Sequence, residues 1–196
     1  MNARTHTSML TTVLAALIAS GCGYSENTEA AEAAPADDAT QVTETSNVTG
    51  SLKGLHDVTA GHLTATAEKV PEELYGFRPT EEVRSMGQIL AHVAAAQFMF
   101  CAAAAGEDSP NSENFEETRT EKAQIIEALG MGMDYCEQVY SGLSDAQGQE
   151  MVSFFGNDMA VSAVLAFNTA HNYEHYGNLV TYMRINGIVP PSSAGM

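Results

Sequence analysis

The stretch DMAVSAVLAFNTAHNYEHYGNLVTYMRINGIVPP, residues 158–191, decides how the whole chain is read. Val161, Val164, Leu165, Leu179 and Tyr182 recur at three- and four-residue spacing, the period of one helix face. Asp158 offers an N-cap, Asn186-Gly187 a stop, and Pro190-Pro191 lies just beyond, so the pattern predicts a helix from Asp158 to Ile185. The same face carries Asn168, His171, His175 and Asn178. Such a polar stripe is expensive to bury unless partners satisfy it. His171 and His175, four residues apart, present both imidazoles on one side, near enough to grip one metal ion. A solvated helix face has the same spacing, so the pair alone leaves both readings open.

Working outward, three more helices emerge. The first runs from Leu52 to Lys69, with Leu55, Val58, Thr59, His62, Leu63 and Thr66 in helical register, and Pro71 stops it. Residues 72–82 form a loop marked by Gly76 and Pro79. Ser85 is a good N-cap for the second, which continues through Met86, Ile89, Leu90, Val93 and Ala96 to Ala105. Gly106 to Asn114 is turn-rich. The third spans Thr118 to Tyr140 on an Ile125, Ile126, Leu129, Met133, Cys136, Val139, Tyr140 stripe, weakened at Gly130 and Gly132. Residues 141–157 connect it to the last helix, with a short helical or extended piece at 151–155. No repeat and no strong strand pattern is present. The expected fold is all-α, an antiparallel four-helix bundle.

His92 lies in Ile89-Leu90-Ala91-His92-Val93-Ala94, among the most apolar stretches of the chain. A single His there reads either as a hydrogen-bonded core residue or as a ligand. Taken with the pair on the last helix, it makes a candidate metal set of His92, His171 and His175, since a bundle builds such sites from facing helices. Neutral imidazoles suit zinc, nickel, iron or copper. Three protein ligands leave one coordination position open, as catalytic sites do. Asn168, Asn178 and Tyr176 are candidates to hydrogen-bond those ligands or handle protons. Glu174, adjacent to His175, points about 100° away around the helix. His56 and His62, six apart, fall on different faces and read as surface or partly buried polar residues. There is no Glu-x-x-His pair for a di-iron site, no Cys-x-x-Cys-His, no His-Glu-x-x-His and no Gly-rich phosphate loop.

The first fifty residues differ in composition. Residues 1–22 read as a lipoprotein signal peptide: Arg4, then a short apolar run from Met9 to Ala19, then Ala19-Ser20-Gly21-Cys22. The run is too short to span a bilayer. Cys22 is the expected lipidation site, which places the mature protein outside the cytoplasm, anchored to the cell envelope. Residues 23–50 hold six acidic and no basic side chains and few large apolar ones, so they are read as a disordered tether. The bundle occupies residues 51–196. A net charge of −17 argues against nucleic-acid binding and against adhesion to anionic lipid, so the lipid anchor is the expected membrane contact. Cys101 and Cys136 either pair, as an oxidising compartment allows, or pack as small apolar side chains.

The motifs resemble those of the DinB/YfiT-like, or bacillithiol-transferase-like, family across about residues 52–191. Ser85-Met86-Gly87-Gln88-Ile89-Leu90-Ala91-His92 is similar to the family's S-x-G-E-I-L-x-H helix, and His171 to Asn178 to its H-x-x-x-H-R-G-Q helix. Tyr182 to Pro191 is similar to its Y-x-R-x-x-G-x-x-P-P ending. Tyr176-Gly177-Asn178 stands where the family has Arg-Gly-Gln. The resemblance implies a four-helix bundle, often a homodimer, with His92, His171 and His175 binding a divalent metal, commonly zinc or nickel. It further implies thiol-dependent chemistry on a small-molecule substrate, in which the metal holds the thiolate. The residues keep two classes open: a metal-dependent thiol transferase or hydrolase, and a non-catalytic metal-binding or structural lipoprotein domain.

Overall fold

Ser85 starts the helix on which the rest of the molecule is built. Its hydroxyl accepts from Gln88 N, and the Gln88 side chain accepts from Ser85 N, closing a capping box. The computed structural model describes residues 47–194. The signal peptide, Cys22 and the tether up to residue 46 lie outside the described residues. The elements are α1 (Val48–Lys69), α2 (Met86–Ala105), α3 (Phe115–Thr118), α4 (Lys122–Gly142), α5 (Asp145–Gly148), β1 (Met151–Phe154), β2 (Asn157–Ala160) and α6 (Val161–Ile185). α2 is long and apolar enough to cross a membrane, yet two thirds of that window is buried inside the bundle.

α1, α2, α4 and α6 form the expected four-helix bundle, but not every neighbouring pair is antiparallel. Around the bundle α1 touches α4 and α6, and α2 touches the same two. Lys122, at the start of α4, donates to Glu68 O and Val70 O at the end of α1, so that pair runs antiparallel. Tyr182, late in α6, donates to Arg84 O just before α2, so that pair does too. α2 and α4 run parallel, with Gly87 beside Ile125 and Cys101 bridged to Cys136. α1 and α6 also run parallel: Thr49 and Ser162 flank Gly148, and His62 stacks on Tyr176. A parallel α2–α4 pair forces the chain to travel back along the bundle, about 30 Å for a 20-residue helix. Residues 106–121, including α3, make that return.

Other boundaries differ from the sequence reading. α1 starts at Val48, so residues 48–50, read as tether, belong to the helix. Asp145 of α5 secures them by accepting from Val48 N, Thr49 N and the Thr49 hydroxyl. The third long helix starts at Lys122, because residues 115–118 fold as the separate α3. Asp158 is not an N-cap. It pairs with Ser153 in a β1–β2 hairpin, and α6 begins at Val161. Of the helical and extended alternatives for residues 151–155, β1 realises the extended one; its partner β2 is only four residues long and has no periodic signal.

Gly132 is not a weak point. A Cβ there would stand 2.6 Å from Ala94 O, so its absence lets α4 press onto the α2 backbone. Cys101 and Cys136 form a disulfide across the same contact, with Cα atoms 5.4 Å apart. Apolar side chains fill two clusters: one around Leu63, Leu90, Leu129 and Met183, the other around Phe100, Cys136, Tyr140 and Leu165. A buried polar group also lies within the bundle. Gln97 Nε2 donates to Asn172 Oδ1 at 2.8 Å, and Gln97 Oε1 accepts from Asn168 Nδ2 at 3.1 Å. His56, expected at the surface or partly buried, is 1% exposed; its Nε2 lies 3.2 Å from Gln97 Oε1 and its ring stacks on Tyr140.

Candidate metal centre

His92 projects from the second turn of α2, and His171 and His175 from the middle of α6. The three rings converge. His171 Nε2 stands 3.1 Å from His92 Nε2 and 3.1 Å from His175 Nε2. One ligand atom from each residue lies within 4.8 Å of the other two. His175 is buried, and His92 and His171 are partly exposed, so the cluster sits at the bundle's wall with one side open.

Three imidazole nitrogens turned toward one point make a donor set that could hold one metal ion. With Glu116 ionised, His92 Nδ1–H donates to Glu116 Oε1 at 2.9 Å, which leaves Nε2 with a bare lone pair. Nδ1 of His171 and Nδ1 of His175 are buried and have no hydrogen-bond partner among the described residues. Burial above all, then the neighbouring His175, His92 and Arg84 charges, push His171 down to about 3. Burial, then His92, also lowers His175. Both are therefore neutral near pH 7, the state in which imidazole binds metal. Nitrogens bonded tetrahedrally to one zinc-sized ion at about 2.0–2.1 Å stand roughly 3.3 Å apart, and both 3.1 Å separations fit that spacing.

The residue that sequence reasoning missed is Glu116. Its carboxylate takes His92 on one side and Arg84 on the other, with Arg84 Nε donating at 2.8 Å and Nη2 at 3.2 Å. Burial works against the ionised form, but the Arg84 hydrogen bonds and charge, followed by those of His92, carry Glu116 below the usual carboxylate range. Glu116 reaches His92 because the return segment lays α3 along α2. Phe115, buried against Phe98, anchors it. Nothing in the local sequence around Glu116 announces this.

The other proposed participants do not gather at the cluster. Asn168 is fully buried one turn earlier on α6 and belongs to the Gln97 network, with its amide also near both disulfide sulfurs. Tyr176 turns toward α1: its ring stacks on His62 and its hydroxyl accepts from Ser192 N at 2.9 Å. Asn178 is exposed and lines a cavity of about 550 Å3 that opens on His175. Glu82, Arg84, Glu116, Glu174 and Tyr182 line it as well, so Glu174 shares the cavity despite its turn away from His175.

Residues 56–179 match the family model described as the DinB superfamily. YjoA of Bacillus subtilis (strain 168), itself named an uncharacterized protein, is 25% identical over 128 residues, covering 62% of this chain and 79% of YjoA. The crystal structure of that protein superposes with a TM-score of 0.58 at 21% identity, over 70% of this chain and 92% of that one. A DinB-like protein from Bacillus cereus ATCC 10987 gives a TM-score of 0.64 at 15% identity, over 72% and 95%. A mycothiol-dependent maleylpyruvate isomerase gives 0.56 at 16% identity, over 67% of this chain and 60% of that one. At these identities the solved structures establish a shared fold.

Proposed function

We propose, since this chain belongs to the DinB superfamily, that its three histidines hold a divalent metal ion, zinc or nickel, and that the site transfers a small thiol to an electrophilic substrate. The observation that carries this reading is the convergence of three imidazole nitrogens beside an open, polar-lined cavity. The isomerase with the same fold is, by its name, mycothiol-dependent, which supports thiol chemistry on this scaffold.

His92, His171 and His175 would hold the ion through Nε2. Bound there, a divalent ion supplies the Lewis acidity that keeps a thiol as its reactive thiolate at neutral pH. Glu116 fixes the His92 ring and tautomer, and Arg84 fixes Glu116. Glu174 and Glu82 line the cavity and offer carboxylates to accept the proton that the thiol gives up. A structural role for the ion is less well supported, because a disulfide and two apolar clusters already hold the helices together.

The Cys101–Cys136 bridge supports an oxidising location for the mature protein. This agrees with export by residues 1–22 and anchoring through a lipid on Cys22, and both belong to the proposal. So does the expectation of a homodimer.

Elemental analysis tests the reading. The purified protein should carry about one divalent metal per chain, and His171→Ala should carry almost none. Equal metal in both would remove the site. Chelation should abolish turnover of thiol–electrophile pairs while the protein stays folded. Turnover that survives chelation would leave only a metal-binding domain.

A further inference from the structure

We propose that the thiol this site takes carries an aromatic or other apolar group that seats on a ladder of rings between His171 and the hairpin tip, with Phe155 and Phe167 selecting it. The proposal rests on the metal-dependent reading of the triad and names the class of molecule that site takes.

The ladder is continuous. The His171 ring lies 5.3 Å from Phe100, which lies 5.3 Å from Phe167 and 5.2 Å from Phe154. Phe154 lies 4.1 Å from Phe155. Phe100 and Phe154 are buried and serve as backing. Phe167 and Phe155 are 43% and 66% exposed and form the surface. Phe167 precedes His171 by four residues on α6, so ring and imidazole share one face. Met99, two turns after His92 on α2, adds an exposed apolar side chain. Along α6 the exposed stripe runs Phe167, His171, Glu174, Asn178. It passes from apolar to polar across the triad, and the cavity lies at the polar end.

The hairpin tip gives an independent reason. Phe155 has φ 49° and Gly156 φ 76°. A two-residue turn with both φ positive suits Asn-Gly or Gly-Gly, and a bulky ring in its first position is strained. Burial repays little of that strain, because Phe155 touches Phe154 on one side and is otherwise mostly exposed. Strain held for so little burial is characteristic of functional positions. The scale also fits a small ligand. Two rings exposed to this extent offer roughly 200 Å2, against about 800 Å2 per partner in a stable protein interface.

The test uses the purified protein loaded with cobalt(II), titrated with 2-mercaptoethanol and with benzyl mercaptan while sulfur-to-cobalt absorption is followed. Wild type should bind benzyl mercaptan about tenfold more tightly. Phe155→Gly and Phe167→Ser should each shrink that preference below about threefold and leave 2-mercaptoethanol unchanged. Phe155→Gly should unfold at the same temperature as wild type or higher, since glycine suits that backbone. A wild type that ranks the two thiols alike, or variants that keep the full preference, would overturn the inference. So would a Phe155→Gly variant that keeps the preference but loses self-association in sedimentation or binding to phosphatidylcholine vesicles. A protein that takes up no cobalt sinks the metal reading and this inference with it. A cobalt-loaded protein indifferent to the ring sinks this inference alone.

Discussion

Glu116 Oε1 accepts from His92 Nδ1 at 2.9 Å, although 24 residues separate the two in sequence. The contact joins the return segment to α2 at the point where the candidate metal centre begins. It fixes which His92 nitrogen is free, and Arg84 keeps the carboxylate in place. Glu116→Gln should therefore weaken metal binding by about 10- to 100-fold with little loss of fold. Chelator competition alongside thermal unfolding measures both. Unchanged affinity would mean that the carboxylate does not support the ligand.

The two glycines in the middle of α4 should respond in opposite directions. Gly132→Ala places a methyl group 2.6 Å from Ala94 O and should destabilise the protein by about 1–3 kcal/mol. Gly130 faces open space, so Gly130→Ala should stabilise it by up to about 1 kcal/mol through helix propensity. Urea unfolding of the two variants decides the matter. A harmless Gly132→Ala would show that α4 can move off α2 cheaply.

The helices and the three histidines were legible in the sequence because both depend on local spacing. Ser85, Pro71 and Gly187 mark ends by chemistry that acts within a few residues. His171 and His175 share a face whatever else the chain does. The directions of neighbouring helices were not legible, because loop length alone does not say which end a loop returns to. Glu116 was hidden for that reason: its role exists only once α2 and α4 run parallel and residues 106–121 must travel alongside. Asn168 and Tyr176 show the opposite error. Their place on α6 was right, but Gln97 and His62 on other helices claim their side chains. His56 reads from α1 as surface or partly buried, yet Gln97 and Tyr140 bury it fully.

Buried histidines also set a pH dependence. Desolvation lowers His56 more than the Gln97 hydrogen bond and the nearby Asp57 and Glu137 carboxylates raise it. A folded-state value below 6.5 means that the unfolded chain takes up its proton first as acid is added. The stability from neutral His56 is complete above about pH 6.5 and drains as pH falls toward the folded-state value. Metal-free protein should thus lose stability between pH 7 and pH 5, and His56→Gln should lose less over the same interval. Denaturant midpoints at the two pH values provide the check; parallel losses would assign the effect to other groups, His171 and His175 foremost.

The disulfide makes a separate contribution. Closing a loop of 35 residues restricts the unfolded chain by about 4 kcal/mol in the chain-entropy model, with about 2–4 kcal/mol typical of measured bridges. Cys101→Ser combined with Cys136→Ser should lower stability by that amount and leave the metal content near one per chain. Thiol titration of the unreduced protein should find neither cysteine reactive. Two reactive thiols in unreduced material would show that the bridge is not formed.

That same bridge encloses the whole excursion from α2 to α4, Glu116 included, in one covalent ring. A protease nick anywhere in residues 106–121 would still leave a single connected molecule, because the sulfur atoms rejoin what the cut separates. The carboxylate that orients His92 is thereby carried on a tethered cassette, which can be cut or lengthened while α2, the helix that bears His92, stays fastened beside α4.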